Sequence, residues 1–277
     1  MSHKVLVIAE IGLNHNGSLD LARQLIDVAV DAGADCVKFQ KRTVDVVYTA
    51  EELAKPRETP FGKTNGDLKR KLEFGAAEYL QIDAYCKLRG IEWTASCWDG
   101  SSVDFVASFK PPFLKIASAS LTDDALLSKH AHTGLPLILS TGMSELWQID
   151  EAVQGPLAKV SDLTLLHCTS TYPCSIEELN LLAIPALKAR YGLPVGFSSH
   201  CVSPWPILGA VALGATVVEC HLTCDRTLFG TDQSASLEPE AFKKIVREIR
   251  DAEKWMGDGI KKVYDSEKPI AAKLRKR

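Results

Sequence analysis

Val195-Gly196-Phe197-Ser198-Ser199-His200 and Val217-Val218-Glu219-Cys220-His221 are two apolar runs of about strand length, and each ends in a histidine. If the two runs lie side by side in a parallel barrel, both imidazoles point into one mouth. Neighbouring strands build a two-histidine metal site in that way. One histidine at a strand end would carry little weight; two at equivalent places of successive units carry more.

Outward from this pair the chain alternates strand and helix patterns. Strand-like runs are Val5–Ile11, Cys36–Gln40, Glu92–Cys97, Phe113–Ser118, Leu137–Thr141, Leu163–Thr169, Val195–Ser199 and Thr216–Leu222. Several are apolar on both faces, as parallel strands covered by helices should be. Helical patterns follow over Leu19–Ala32, Ala77–Arg89, Ser101–Phe109, Asp124–His132, Glu145–Gln154, Ile176–Tyr191, Pro204–Leu213 and Pro239–Met256. Glycines such as Gly33, Gly90 and Gly192 fall where these helices should stop. Eight such units predict a TIM (β/α)8 barrel, one domain over 1–277; a doubly wound open sheet is the alternative. The one long irregular stretch, Lys41–Gly75, holds Pro56, Pro60, Gly62 and Gly66 and is expected to be a lid or substrate loop, against the plainer reading of a surface insertion.

The chain has 277 residues and a formal net charge of −3. That balance supplies no basic stripe for nucleic acid and no polybasic patch for a membrane. Met1-Ser2-His3-Lys4 runs directly into the first strand, with no apolar stretch long enough for a signal peptide or a membrane span. Eight cysteines are scattered without a CxxC pair. Cys36, Cys97, Cys168 and Cys220 lie in strand runs, where reduced, buried thiols are common, so a reduced, cytoplasmic protein is expected.

In this fold chemistry gathers at the carboxyl ends of the strands. Those ends carry Glu10, then Asn14, His15 and Asn16; Lys38 and Gln40; Ser96; Lys115, Ser118 and Ser120; Ser140; His167, Ser170 and Tyr172; Ser198, Ser199 and His200; and His221, with Asp225, Arg226 and Asp232 in the last loop. Lys38 and Lys115 stand in otherwise apolar strands. An ammonium buried there needs an anion or a role. One such lysine could form an imine, as in barrel aldolases. Two lysines among the hydroxyls of Ser96, Ser118, Ser140 and Ser198 suit an anion cage, best a phosphate; the plainer reading pairs each with a core carboxylate such as Glu10 or Glu219. With two histidines beside the cage, a metal would act as Lewis acid on a carbonyl or position a water. Imidazole ligands favour Mn, Zn, Fe or Co over Ca; Mn2+ is expected, with Mg2+ or Co2+ as alternatives. Glu10 and Asp232 are candidates for a further ligand, a supporting partner or a proton relay, and Glu10 equally for a lysine's ion-pair partner.

Several phrases carry a resemblance. Ile8-Ala9-Glu10-Ile11-Gly12-Leu13-Asn14-His15-Asn16-Gly17-Ser18 resembles the opening of the sialic acid synthase family, the N-acetylneuraminate synthases and their legionaminic and pseudaminic acid relatives. Val37-Lys38-Phe39-Gln40, Lys115-Ile116-Ala117-Ser118, Ile138–Met143, Leu166–Pro173, Gly196–His200 and the stretch from His221 through Asp232 to Pro239 are similar too, in family order along essentially the whole chain. The resemblance implies condensation of phosphoenolpyruvate with the open-chain aldehyde of an amino sugar such as N-acetylmannosamine, giving a 3-deoxy-2-ulosonic acid and phosphate by C–O cleavage. It implies a divalent metal, usually Mn, on His200 and His221. Lys38, Ser96, Lys115, Ser118, Ser140 and Ser198 match its phosphoenolpyruvate positions; Glu10, Gln40, Tyr172 and Asp232 match positions near the metal and the sugar.

The chain departs from the family's pattern at Ser120, where a glutamate is common, at Ser170, at Ser199 in place of an Asp, and at Gln233 in place of a His. Known synthases also carry a C-terminal antifreeze-like domain that reaches across a dimer with an arginine. Lys273-Leu274-Arg275-Lys276-Arg277 falls about where that domain would start, so a barrel alone, as a homodimer, is expected. Two other readings stand beside the synthase: a lysine-dependent barrel aldolase, and a non-catalytic sugar-acid binding or regulatory paralogue.

Overall fold

Each of the eight apolar runs forms a parallel strand of one closed barrel in a computed structural model that describes residues 4–276. Met1–His3 and Arg277 lie outside the described residues. The strands are β1 Leu6–Gly12, β2 Cys36–Lys41, β3 Glu92–Cys97, β4 Leu114–Ile116, β5 Leu137–Ser140, β6 Leu163–Cys168, β7 Val195–Ser199 and β8 Val217–His221; β1 closes the ring against β8. The outer helices are α1 Leu19–Ala32, α2 Ala76–Arg89, α3 Gly100–Ala107, α4 Asp124–Ala131, α5 Leu146–Gln154, α6 Ala183–Tyr191, α7 Trp205–Ala212 and α8 Pro239–Trp255. The α1 helix shows why they form: Ser18 caps its first turn by accepting from Leu21 N, its apolar stripe Ala22, Leu25, Ile26 and Ala29 is buried, and Gly33 ends it in the left-handed conformation. A large core lies between strands and helices, and a separate plug of Ile8, Cys36, Phe113, Ile138, Leu166 and Val217 fills the barrel interior.

That plug positions the site. Side chains two residues apart on a strand share a face. Two residues above Ile8, Cys36, Phe113, Ile138, Leu166 and Val217 stand Glu10, Lys38, Lys115, Ser140, Cys168 and Glu219. Thr94 and Gly196 complete the lower tier, with Ser96 and Ser198 above them. All eight members of the upper tier line one cavity. The ladder sets Glu10 opposite Lys38 and His221, Ser96 opposite Lys115, and Ser198 opposite Glu219. Gly196 has to be glycine, because a Cβ there would lie 2.3 Å from Val217 O and 2.6 Å from the Leu166 side chain.

The structure corrects three sequence expectations. The fourth strand ends at Ile116, and Ser118–Ser120 is a 3-10 turn. The helix expected over Ile176–Tyr191 divides into a turn at Ile176–Glu178 and the α6 helix. Pro185 explains the break, since a proline fits only the first turn of a helix. The stretch after β2 is not irregular. It folds as helices Val44–Val47, Ala50–Ala54 and Asn65–Leu72 around a hairpin of Pro56–Thr59 and Gly62–Thr64. Thr49 with Glu52 and Thr64 with Asp67 form reciprocal capping boxes. This insertion reaches the last loop, where Phe61 meets Phe229 edge to face at 5.8 Å. All eight cysteines are free thiols, seven of them buried. Among the described residues no helix is long and apolar enough to cross a membrane.

Candidate active site

The cavity at the carboxyl ends of the strands holds about 200 Å³. Its floor is a chain of charges and hydroxyls. Lys38 Nζ lies 2.7 Å from Glu10 Oε2 and 3.7 Å from Glu219 Oε1, and donates to Ser96 Oγ at 2.9 Å. Ser198 Oγ donates to Glu219 Oε1 at 3.1 Å. Lys115 Nζ donates to Ser140 Oγ at 2.7 Å and to the Ile116 carbonyl at 3.1 Å. Both lysines are buried, at 3 % and 2 % exposure. The core-carboxylate reading therefore holds for Lys38 and fails for Lys115, which has no carboxylate at ion-pairing distance among the described residues.

Burial works against every charge here, and the neighbours decide the outcome. Desolvation raises Glu10 to about 7, aided by the negative charge of Glu219 and opposed by Lys38. Glu219 is equally buried, yet Lys115, Lys38 and the two histidines together hold it down to about 2. Lys38 lies above its ordinary range: burial lowers it, but Glu10 and Glu219 more than offset that. Lys115 is held below its ordinary range by burial, with Glu219 pulling the other way. The floor thus carries one ionised carboxylate, one carboxyl group poised near neutrality and an ammonium without a direct counter-ion.

The next tier up holds the histidines. The His200 and His221 ring centroids are 5.5 Å apart, and the Tyr172 ring packs against His200 at 4.1 Å, tilted by 37°. His200 Nδ1 lies 2.7 Å from the Thr169 carbonyl, so Nδ1 carries the proton and Nε2 keeps its lone pair. The Nδ1 of His221 is buried with no hydrogen-bond partner. Burial and their mutual proximity hold His200 to about 4; burial likewise lowers His221. Two neutral imidazoles with free lone pairs at one mouth fit a divalent ion. Among the described residues, no group of three or more His, Cys, Asp or Glu side chains gathers to hold an ion by itself. Such an ion would take its other ligands from water or substrate, as an open catalytic site does.

Eleven of the twelve residues singled out from sequence line this cavity: Glu10, Lys38, Gln40, Ser96, Lys115, Ser118, Ser140, Tyr172, Ser198, His200 and His221. Asp232 does not. It opens the 3-10 turn Gln233–Ala235, and its carboxylate stands 3.9 Å from His221 Nδ1 and near enough to Tyr172 to add to burial in raising that phenol. Several other strand-end residues face elsewhere. His167 alternates with Leu166 and Cys168, so its ring lies outside the barrel and its Nε2 bonds the Leu179 carbonyl at 2.8 Å. Ser199 alternates with Ser198 and His200 and cannot touch the cavity. Ser120 is buried in its turn beside the cavity rather than lining it. His15 stacks on Phe74 at 4.0 Å beneath the insertion, and burial lowers it to about 3. Gln233 clamps the last loop, donating to the Asn14 carbonyl at 3.2 Å and accepting from Thr223.

Sequence reasoning missed four participants. Glu219 was weighed only as a salt-bridge partner, and Cys168 only as a buried thiol. Trp98 and Arg42 were not singled out. Trp98 lines the cavity; Arg42 is buried, stacks on the Trp98 ring at 4.8 Å and donates to Gln40, fixing that amide where its Nε2 reaches Glu10 Oε1 at 3.2 Å. Counting by two along each strand from the apolar plug would have found Glu219, Cys168 and Trp98.

A barrel with a lysine-rich floor and a histidine pair at its rim defines a class of enzyme that handles a small anion beside an electrophile. The NeuB family model matches residues 25–261, and the chain belongs to the NeuB family, enzymes of the sialic acid synthase type. It is 38 % identical to the N,N'-diacetyllegionaminic acid synthase of Legionella pneumophila over 98 % of this chain and 78 % of that protein. It is 36 % identical to the N-acetylneuraminate-9-phosphate synthase of Homo sapiens over 99 % of this chain and 77 % of that protein. The crystal structure of N-acetylneuraminic acid (sialic acid) synthetase from Leptospira borgpetersenii serovar Hardjo-bovis, in complex with citrate, superposes with a TM-score of 0.87 at 33 % identity, covering 100 % of this chain and 94 % of that one.

Proposed function

We propose that the chain condenses phosphoenolpyruvate with the open-chain aldehyde of an N-acylated amino sugar, giving a 3-deoxy-2-ulosonic acid of the sialic type and inorganic phosphate. The observation that carries this reading is Lys115: a buried ammonium, bonded only to a serine hydroxyl and a backbone carbonyl, at the bottom of an open cavity. Such a group is strongly stabilised by an incoming anion. Phosphoenolpyruvate supplies a carboxylate and a phosphate, and Lys38 with Ser96 and Lys115 with Ser140 offer two cation–hydroxyl pairs to receive them.

In this reading a C–C bond forms between C3 of phosphoenolpyruvate and the aldehyde carbon. The aldehyde oxygen takes a proton and becomes a hydroxyl. Glu10, raised to about 7, is the side chain able to hold and release that proton near neutral pH. Water then adds at C2. Glu219, ionised and with Oε2 free of hydrogen-bond partners, is placed to accept its proton. The C2–O bond to phosphate then breaks as the C2 hydroxyl gives its proton to the departing phosphate, leaving the ketone and inorganic phosphate. His200 and His221 would hold a divalent ion, Mn2+ in this reading with Mg2+ or Co2+ as alternatives, whose contribution when bound is to polarise the aldehyde. Tyr172, packed against His200 at 4.1 Å with its ring tilted by 37°, helps to orient that imidazole.

The test is phosphate release from phosphoenolpyruvate with Mn2+, screened over N-acetylmannosamine, arabinose 5-phosphate and diacetamido hexoses. Substrate labelled with 18O in the bridging oxygen should deliver the label to phosphate. Phosphate release independent of any aldehyde, or label left in the sugar acid, would refute the reading. A lysine-dependent aldolase is the second reading, and Lys115 also favours it, because a desolvated lysine held below its ordinary pKa is a good imine former. Borohydride with pyruvate would then leave a covalent mass increment on Lys115.

A further inference from the structure

A second cavity, of about 190 Å³, lies between the insertion and the last loop. It lies beside the first: Asp232 lines it, and the Asp232 carboxylate is 3.9 Å from Nδ1 of His221, which lines the other. The insertion lends it two cations, Arg57 and Lys69. Neither is in an ion pair among the described residues. Arg57 makes one long hydrogen bond, 3.4 Å to Asn65 Oδ1, and Lys69 rests over the Tyr48 ring at 4.9 Å. From the β1 side comes Asn16, held in the left-handed conformation at φ 49°, with a buried Oδ1 that accepts from nothing. Leu68 and Phe229 give the cavity apolar sides, and the Phe61–Phe229 contact bridges the two loops that enclose it.

A cavity with two unpaired cations, one free acceptor and one carboxylate suits a hydroxylated chain that ends in an anion. The carboxylate and the amide oxygen accept from hydroxyls, and the guanidinium and ammonium take the terminal charge. The Asp232 carboxylate, 3.9 Å from His221 Nδ1, sets this cavity beside the place where the reacting aldehyde would stand. We infer that this cavity receives the end of the acceptor sugar remote from the aldehyde, and that Arg57 and Lys69 select an acceptor bearing an anionic group there over a neutral one. The inference rests on the condensing reading and adds to it the class of acceptor and the residues that choose it.

The experiment compares kcat/KM for N-acetylmannosamine, its 6-phosphate and its 6-carboxylate (N-acetylmannosaminuronate) in the wild type, Arg57→Met, Lys69→Met and the double variant. Lys63→Met serves as the control for diffuse charge, since Lys63 is exposed on the same hairpin and outside the cavity. The wild type should prefer the anionic acceptors. Each cavity variant should lower the ratio of anionic to neutral kcat/KM by about tenfold, the order expected for one charge-assisted contact. Arg57→Lys should restore most of the ratio, and Lys63→Met should leave it in place. The two anionic arms separate phosphate from carboxylate as the preferred group. A wild type that favours the neutral sugar, or a ratio unmoved by the double variant, overturns the inference. If no aldehyde supports phosphate release, the condensing reading fails on its own account. Calorimetry then judges the cavity: tighter binding of the 6-phosphate than of the neutral sugar, lost in the double variant, supports it, and equal binding overturns it.

Discussion

Lys115→Met separates a functional lysine from a structural one, because the floor geometry predicts little change in stability and a large loss of anion affinity. In the free protein, removing the ammonium relieves the penalty of burying a charge that has no carboxylate at ion-pairing distance, a term of several kcal/mol. The same change deprives Ser140 Oγ and the Ile116 carbonyl of a donor at 2.7 and 3.1 Å, costing about 1–3 kcal/mol each. These nearly cancel, so the unfolding free energy should stay within about 2 kcal/mol of wild type. Lys38→Met makes the contrast. It breaks an ion pair at 2.7 Å and leaves Glu10 and Glu219 facing each other, so it should destabilise by about 3–5 kcal/mol. With phosphoenolpyruvate present the effect at Lys115 becomes large. Losing its contact to a buried anion should cost about 2–3 kcal/mol of affinity, roughly a 30- to 150-fold rise in Kd. Urea unfolding gives the first number and titration calorimetry the second. A Lys115→Met protein as destabilised as Lys38→Met, with phosphoenolpyruvate affinity unchanged, would refute the anion cage.

Other outcomes follow from the same structure. His200→Ala and His221→Ala should each abolish stoichiometric binding of a divalent ion, read by metal analysis after desalting, and turnover with it; full activity in the double variant after chelation would remove the metal from the proposal. His130 is buried far from the cavity, with Nε2 unpartnered, and burial lowers it to about 4. Its depressed value makes stability full above pH 6.5 and declining as pH falls toward 4, by about 3 kcal/mol in all, so His130→Leu should flatten that slope in pH-dependent unfolding. Phosphoenolpyruvate brings negative charge toward Glu10, already raised to about 7, so binding near pH 7.5 should take up protons, seen as a buffer-dependent enthalpy; no uptake would place Glu10 outside the reach of the anion. Phe61→Ala should loosen the insertion from Phe229 and raise KM for the sugar more than for phosphoenolpyruvate, and equal effects on both would deny the insertion a role over the sugar side.

The barrel was legible because parallel strands buried on both faces announce themselves as apolar runs, and eight of them with glycine-ended helices leave little choice of fold. Lys38, Lys115, His200 and His221 were legible for the opposite reason, as polar residues that break an apolar pattern. What stayed hidden obeyed neither rule. Glu219 looks like a salt-bridge partner until the register sets it opposite Ser198 and beside Lys38. Arg42 lies just past a strand, in what reads as the start of a loop, and its burial comes from Trp98 and from Tyr48 and Glu73, which the folded insertion brings to it. The insertion itself looked irregular because its elements are short; the signals were the Thr-x-x-Glu and Thr-x-x-Asp caps, which are weak without a long apolar stripe behind them. Asp232 was legible only as a residue of the last loop and through the family resemblance; the turn at Gln233–Ala235 brings its carboxylate to 3.9 Å from His221 Nδ1.

The two tiers inside the barrel also explain how such a floor survives folding. A layer holding two lysines, two glutamates and three serines would not organise itself, since each charge is expensive to bury and the favourable pairings are several. Here the backbone dictates the pairing. The ladder fixes which residue faces which, and the apolar tier directly beneath, Ile8, Cys36, Phe113, Ile138, Leu166 and Val217, fixes how high each side chain stands. Most of the burial that stabilises the fold lies elsewhere, between strands and helices, where no member of the polar tier reaches. Substitutions in the polar tier therefore act mainly on binding unless they break a formed ion pair. A larger side chain at Gly196 or Gly142 would act differently: Gly196 sits against Val217 and Leu166, and a Cβ at Gly142 would lie 2.2 Å from Ser170 Oγ and 2.9 Å from Ser118 Oγ. These glycines therefore keep room for the hydroxyls of Ser118 and Ser170 and for the apolar tier, while Lys115, with no carboxylate at ion-pairing distance among the described residues, is what an anionic substrate would find.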